Sequence, residues 1–339
     1  MTAYITGTCP DAATFWNLLL DFLTGDEDLV AAEENWEQVW ANGGESQRVL
    51  KGPGLAGTDS VYIGLRFKEN ETTDEHSIYL SGYTGILAEA TDLTQHFGRS
   101  PEVAFFLDTN PMQYWLVASG RRFVVVVKAS TVYESAYAGL YLPYSLPTNY
   151  PYPLFIGGTK GYKNLATNNW RSVELGHKAW FNPYRDNALG DDVVPTSAYL
   201  LDQTGTVWYP VVNQGYRDDL NIAHMLPNYA GKFDPWSGAD DLGAWGAVEP
   251  GSAGANWMGY APAFSKTRRT LDGGYSLHPL SLVQATPLVV NWGVMDGVYA
   301  VPGSENSAEN TITIGLDTYL VVPDVFRTNN SDYVAIKLG

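Results

Sequence analysis

Residues 113–128 constrain the fold of this chain more than any other stretch. They run Gln113-Tyr-Trp-Leu-Val-Ala118, then Ser119-Gly120-Arg121, then Arg122-Phe-Val-Val-Val-Val-Lys128. Two β-branched and aromatic runs around a glycine turn read as a β-hairpin. Four consecutive valines offer water no polar face, so the second strand is expected to be covered on both sides. Similar signals surround it. Val61–Phe67 and Ser77–Tyr83 flank the polar segment 68–75 as a long hairpin, and Thr131–Leu142 reads as a further strand. Shorter strands are expected at Ser197–Asp202 and Val207–Val212, joined around Thr204-Gly205. Clean strand signals return at Leu277–Val290, Val298–Val301, Thr311–Ile314, Thr318–Val322 and Tyr333–Leu338, with turns at Asp296-Gly297 and at 328–332.

Helical periodicity is confined to the beginning. Asp11 can cap a segment through Leu23 with Phe15, Trp16, Leu19, Leu20, Phe22 and Leu23 as its apolar positions, stopped by Gly25. The acidic Asp26-Glu27-Asp28 suits the first turn of a second helix, whose stripe is Leu29, Ala32, Trp36, Val39 and Trp40 and which Gly43-Gly44 ends. Between Pro143 and Gly274 periodicity fades, and proline, glycine, asparagine and aspartate crowd the chain. The expected fold is therefore α+β and predominantly β: an N-terminal α-hairpin packed on an antiparallel β core with a long loop-rich insertion. The expected divisions are a helical hairpin at 1–44, a first part of the β core at 45–158, the insertion at 159–275 and a second part of the core at 276–339. Early and late strands are expected to pair around the insertion.

Charge and composition exclude several functions. With 20 basic against 37 acidic residues the formal charge is −17. Neutralising a phosphate backbone needs clustered Lys and Arg, and only Arg121-Arg122 and Lys266-Thr-Arg-Arg269 come near, so no direct nucleic-acid contact is expected. These pairs read instead as turn residues or salt-bridge donors. No apolar run approaches the roughly 20 residues of a membrane helix, and no membrane span is expected. The first residues lack the basic and apolar regions of a secretory signal, so synthesis in a cytosol is expected. Cys9, the one cysteine, reads as a small semi-buried residue and not a nucleophile.

Enzyme motifs are missing. There is no G-x-S-x-G elbow, phosphate loop, H-E-x-x-H pair or dinucleotide fingerprint. The five histidines, at 76, 96, 177, 224 and 278, show no metal-ligand spacing and read as structural. The acidic stretches 25–28, 186–192 and 234–241 cluster oxygens but match no calcium loop. The sequons at Asn70 and Asn329 are of the frequency chance gives. The expectation is a non-enzyme without cofactor or metal. The catalytic alternative is sugar chemistry, with Trp236, Trp245 and Trp257 stacking on a glycan beside Asp234, Asp240, Asp241 and Glu249; against it, those tryptophans would fill the insertion's own core or an interface.

Two stretches resemble structural proteins of tailed bacteriophages. One runs from Trp115 to Lys128, through Tyr133–Tyr144, to Tyr150-Pro-Tyr-Pro-Leu-Phe-Ile-Gly-Gly158. The other comprises Asp296-Gly-Val-Tyr-Ala-Val-Pro-Gly303, Glu309-Asn-Thr-Ile-Thr-Ile-Gly315, Tyr319–Arg327 and Asp332–Leu338. The segment from Lys160 to Gly274 carries no such likeness. The resemblance implies a class and no catalytic residues: a virion component made in the host cytoplasm, placed in tail, baseplate or neck. It would act as copies of itself in a ring and touch neighbouring virion proteins. Large aromatics anchor such contacts, which makes Trp36, Val39, Trp40, Trp236, Trp245 and Trp257 the interface candidates, with core packing the competing reading for each. A glycan-binding or glycan-cleaving tail-tip protein is the alternative function.

Overall fold

The computed structural model describes residues 2–42, 46–55, 61–70, 72, 75–145, 153–161, 177–182, 196–202, 204–211, 223–226, 274–284, 290–303, 305–328 and 333–339. In chain order the described elements begin with β1 (Ala3–Cys9), α1 (Ala12–Gly25), the short α2 (Glu27–Ala31), β2 (Glu37–Ala41) and β3 (Gln47–Gly52). Then come β4 (Val61–Asn70), β5 (Glu75–Tyr83), β6 (Val103–Phe106), β7 (Met112–Ala118), β8 (Arg122–Ala129), β9 (Val132–Leu140) and β10 (Leu142–Pro143). The middle of the chain supplies β11 (Leu154–Gly157), β12 (Lys160–Gly161), β13 (Ala198–Leu201), β14 (Trp208–Pro210) and β15 (Ala223–Leu226). The last are β16 (His278–Gln284), β17 (Val290–Ala300), β18 (Thr311–Ile314), β19 (Asp317–Pro323) and β20 (Tyr333–Lys337). The chain is predominantly β, with antiparallel sheets and helix near its beginning.

These strands form three sheets. The central sheet has the order β1-β7-β8-β9-β11-β13-β14; a helix-side sheet has β12-β6-β5-β4-β3-β2; a C-terminal sheet has β15-β16-β17-β20-β19-β18, with β10 attached to β17. Alternation along the central strands explains the stacking. Met112, Tyr114, Leu116, Phe123, Val125, Val127, Ala136 and Leu154 point into one core, which they share with Leu50, Ile63, Leu65, Ile78, Leu80, Val103 and Phe105 of the helix-side sheet. Their alternates Trp115, Val117, Val124, Val126, Tyr137 and Phe155 point into a second core, shared with Leu282, Met295, Val298, Leu320, Val322, Val334 and Ile336 of the C-terminal sheet. A strand of period two with both faces buried must be apolar at every position. That is why Val124 to Val127 carry no polar break.

Helix α1 completes the first core. Asp11 caps it by accepting from the Thr14 amide at 2.7 Å. Phe15 sits edge-on to Phe105 of β6 and Tyr114 of β7, and Trp16 stacks on Phe67 of β4, so the helix grips both sheets.

The second arm of the expected helical hairpin does not form. Asp26 caps α2 through the Asp28 and Leu29 amides, but the helix stops at Ala31, Glu33 takes a φ of 57°, and Glu37–Ala41 is an edge strand of the helix-side sheet. A helical stripe would place Trp36 and Trp40 on one surface. The strand, with a bulge between Gln38 and Trp40, sends Trp36 into the core between the sheets and Trp40 to the outer face of the helix-side sheet. Two buried indoles in separate cores outweigh the modest helix propensity of Glu33 to Gln38.

Four further readings change. Ala3–Cys9, to which no strand is assigned from sequence, pairs along its whole length with β7. The late strands pair mainly among themselves and lie face to face on the early ones; β10 with β17 and the single bridge Tyr133–Val325 are the early–late pairings among the described residues. Part of the expected insertion belongs to the core, since β13 and β14 extend the central sheet. Asp296-Gly297 is no turn: it is a bulge inside β17, with Gly297 at a φ of 70°.

Candidate functional site

Trp36, Val39 and Trp40 are spent within the chain and do not form an exposed interface. Trp36 is 1% exposed, donates from its indole nitrogen to the Ser119 carbonyl at 2.9 Å and lies edge-on to Phe123. Trp40 is buried, donates to the Ala90 carbonyl at 3.1 Å and meets the His96 ring edge-on, with Val39 packed beside it. Trp236, Trp245 and Trp257 lie outside the described residues, as do Asp234, Asp240, Asp241, Glu249 and the acidic stretch 186–192.

Exposed apolar side chains lie elsewhere, Val30, Phe97, Tyr144 and Val207 singly and two more together on one hairpin. Leu316 is 100% exposed and Ile314 46%, at the tip of the β18–β19 hairpin, where Ile314 pairs with Asp317 across Gly315-Leu316. Gly315 has a φ of 65°, as a two-residue hairpin turn requires. Strand β18 reads Thr311-Ile-Thr-Ile314 and is the outermost strand of the C-terminal sheet. Among the described residues it pairs with β19 alone, and it has no Lys, Pro or charge of the kind that protects an edge strand. Asp317 beside the tip is matched by Lys337 at 2.9 Å.

Polar contacts fasten the C-terminal sheet to the rest. Asp324, fully buried after β19, accepts from the Ala179 amide at 2.7 Å and the Asn182 side-chain amide at 3.0 Å, while Arg327 donates to the His177 carbonyl at 2.7 Å. His177 is itself buried, its Nε2 2.8 Å from Glu134 Oε1 of β9. The other Glu134 oxygen accepts from the Phe106 amide at 3.2 Å and from the Thr159 hydroxyl. Residues 177–182 thus pin all three sheets together, with Trp180 and Phe181 buried in the second core. The β17 bulge carries Asp296 to Arg121 at 3.0 Å and to the buried Arg122 at 3.7 Å, so the two arginines are salt-bridge donors. Glu309 receives Lys128 and the Tyr133 hydroxyl. Burial would raise the Glu309 carboxyl, but the Lys128 and Tyr133 bonds hold it below its ordinary range; burial and the same carboxylate push the Tyr133 phenol up to about 12.

The outer face of the helix-side sheet carries a chain of charges. Lys68 Nζ and the Tyr79 hydroxyl both donate to Glu75 at 2.6 Å, and the Arg66 guanidinium lies 4.0 Å over the Tyr79 ring. Arg66 then forks onto Glu102 at 3.2 and 3.1 Å, and Arg99 reaches the same carboxylate at 3.2 Å. Beside them a cleft of about 270 Å³ is lined by Gln47, Arg66, Asp92, Leu93, Thr94, Arg99 and Glu102. No signal in sequence marks these residues as a group, because they come from β3, β4, the 92–99 loop and the approach to β6.

The histidines do not gather. His96 Nδ1 accepts from the Leu87 amide at 3.2 Å, and burial lowers its pKa. His76 lies 3.3 Å from Glu69, and His278 Nε2 is 3.0 Å from the Ser276 hydroxyl. Among the described residues no three His, Cys, Asp or Glu side chains form a group able to hold a metal ion, and no helix is long and apolar enough to cross a membrane. Cys9 is buried, its thiol pushed up by burial and directed at the Asp11 carbonyl at 3.2 Å. No protein-family model matches the chain, and no curated protein matches it either.

Proposed function

We propose that this chain is a structural component of a tailed-phage particle, in its tail or baseplate, and that it works by assembling with copies of itself and with neighbouring virion proteins. One observation carries the assembly half of the reading: the uncharged β18 edge ending in the exposed pair Ile314 and Leu316. Copies of a chain with net charge −17 repel one another over most of their surface. An uncharged edge strand with an apolar tip is where such copies can approach, adding backbone hydrogen bonds across the edge and burying the tip. A contact of this kind repeated head to tail closes a ring when its rotation divides a full turn. Three mutually fastened sheets supply the rigidity a scaffold needs. The phage half rests on the sequence resemblance.

Two measurements test the reading. Sedimentation velocity over a concentration series should show self-association that Leu316→Asp weakens; a wild-type chain that stays monomeric throughout would remove the support for assembly. Peptide mass spectrometry of purified particles from a host carrying the gene should find the chain at stoichiometric abundance, and particles lacking it would overturn the virion assignment.

A further inference from the structure

We propose that the cleft on the outer face of the helix-side sheet binds a neutral polyhydroxylated ligand of the size of one sugar ring. The inference goes beyond the assembly reading and does not depend on it. Size comes first: about 270 Å³ lies just under the range of drug-sized sites and suits a single ring.

Charge comes second. Two guanidiniums, from Arg66 and Arg99, face two carboxylates, from Glu102 and Asp92. An anion entering the cleft would meet both carboxylates, and a cation both guanidiniums, so neither gains from the lining as a whole.

Third is the pattern of unused hydrogen-bonding groups. Glu102 takes the Arg66 Nε and Nη2 groups and an Arg99 Nη2 group. Arg66 and Arg99 remain 28% and 25% exposed, so their guanidiniums keep N–H groups within reach of solvent. Gln47 uses its side-chain oxygen to accept from the Leu93 amide at 3.2 Å, which leaves its Nε2 donors free. Asp92 spends Oδ1 on the Thr94 amide at 2.6 Å and on the Thr94 hydroxyl, which leaves Oδ2 and the hydroxyl's lone pairs as acceptors. The lining therefore offers held donors and held acceptors together. A hydroxyl both donates and accepts, and adjacent hydroxyls on a ring do so in a fixed spacing, so a sugar can meet both kinds of group at once.

The donors are also held in place before any ligand arrives. Arg66 is clamped between the Tyr79 ring and Glu102, Arg99 by Glu102, and Gln47 by the Leu93 amide. Such preorganisation lowers the cost of binding. The residues are distinct from Trp236, Trp245 and Trp257, the stacking candidates in the sequence.

Saturation-transfer NMR on the full chain, with glucose, galactose and N-acetylglucosamine as separate probes, tests the proposal. Thermal shift with sodium phosphate is the anion arm. At least one sugar should receive saturation from the wild-type chain, with affinity about tenfold weaker in Arg99→Met and in Thr94→Val, each removing groups worth one hydrogen bond. Leu316→Asp should bind as wild type does. Circular dichroism checks that Arg99→Met is folded, and Thr94→Val, on an exposed turn, remains informative if it is not. No transfer to any of the three sugars, stabilisation by phosphate alone, or undiminished transfer in both variants would each overturn the proposal.

Discussion

Replacing Glu134 with alanine tests whether the three sheets are held by one buried carboxylate. Glu134 is 1% exposed and serves three donors: the Phe106 amide, the Thr159 hydroxyl and the His177 ring. The three losses differ in kind. The Thr159 hydroxyl can rotate toward the Ala104 carbonyl at 3.4 Å, so it is not orphaned. The Phe106 amide has no such second acceptor among the described residues. His177 Nε2 is left without a partner in either tautomer, as a donor or as an acceptor. Two orphaned buried groups at about 1–3 kcal/mol each, plus the space the side chain vacates, come to about 4 kcal/mol. That is a large share of a typical domain's stability of about 5–15 kcal/mol. Glutamine keeps the shape and one acceptor oxygen, and its amide can donate to a neutral His177 ring, so Glu134→Gln should cost only about 1–2 kcal/mol. Urea unfolding at neutral pH, followed by tryptophan fluorescence, measures both. Trp180, three residues from His177 and buried in the second core, makes loosening there visible. An alanine variant within about 0.5 kcal/mol of wild type, or equal losses for alanine and glutamine, would refute the account.

Other perturbations separate core from surface. Trp36→Ala should destabilise the monomer by about 3–5 kcal/mol, read as a lower urea midpoint; an interface role would leave the midpoint unchanged and weaken only association. Leu316→Asp should do the reverse. Its side chain makes so little contact that the urea midpoint should hold within about 0.5 kcal/mol, while burial of a leucine, worth about 2 kcal/mol, is lost from any contact between copies, weakening it about thirtyfold in sedimentation. His96 gives a pH dependence. Burial lowers its folded pKa below the ordinary 6.5, so the unfolded chain binds the proton more readily. Its contribution to stability is full above 6.5 and is lost as pH falls from there through the folded value. His96→Gln should flatten the slope of urea midpoint against pH in that window; an unchanged slope would show that another group sets it.

The elements that were legible in the sequence are those whose side-chain pattern has one physical solution. Val124 to Val127 have no polar side, so their two-faced burial could be read directly, and Asp11 before Phe15 and Trp16 announced a capped helix. Trp36 and Trp40 failed for an identifiable reason. A spacing of four residues fits one helical face, and a strand with a bulge also accommodates it, with the two rings on opposite faces. Only the existence of two separate cores decides between them, and that is a tertiary fact. Asp296-Gly297 misled in the same way, because a glycine at positive φ serves a turn and a bulge equally. The cleft residues were invisible because each is an ordinary strand or loop residue until three β segments and a loop place them side by side.

The distribution of charge links the fold to the proposed role. Asp324, Asp296 and Glu309, carboxylates of the C-terminal part, are each answered by donors from elsewhere in the fold: the Ala179 amide and Asn182, Arg121, and Lys128 with Tyr133. The charges that could bind a basic partner are thus partly consumed in joining the layers. What the C-terminal sheet leaves outward at its β18 edge is not acidic but uncharged, two threonines leading to an apolar tip. An edge of this composition is a liability for a solitary protein, since it invites unregulated pairing. It is expected in a subunit whose working state is paired, where the same edge becomes the contact and the surrounding acidity limits association to that register. A Thr313→Lys variant, which adds a charge to the exposed side of β18 without touching the buried Ile312, should abolish association and leave the monomer's unfolding unchanged. Association that survives the lysine would mean that copies meet through some other surface.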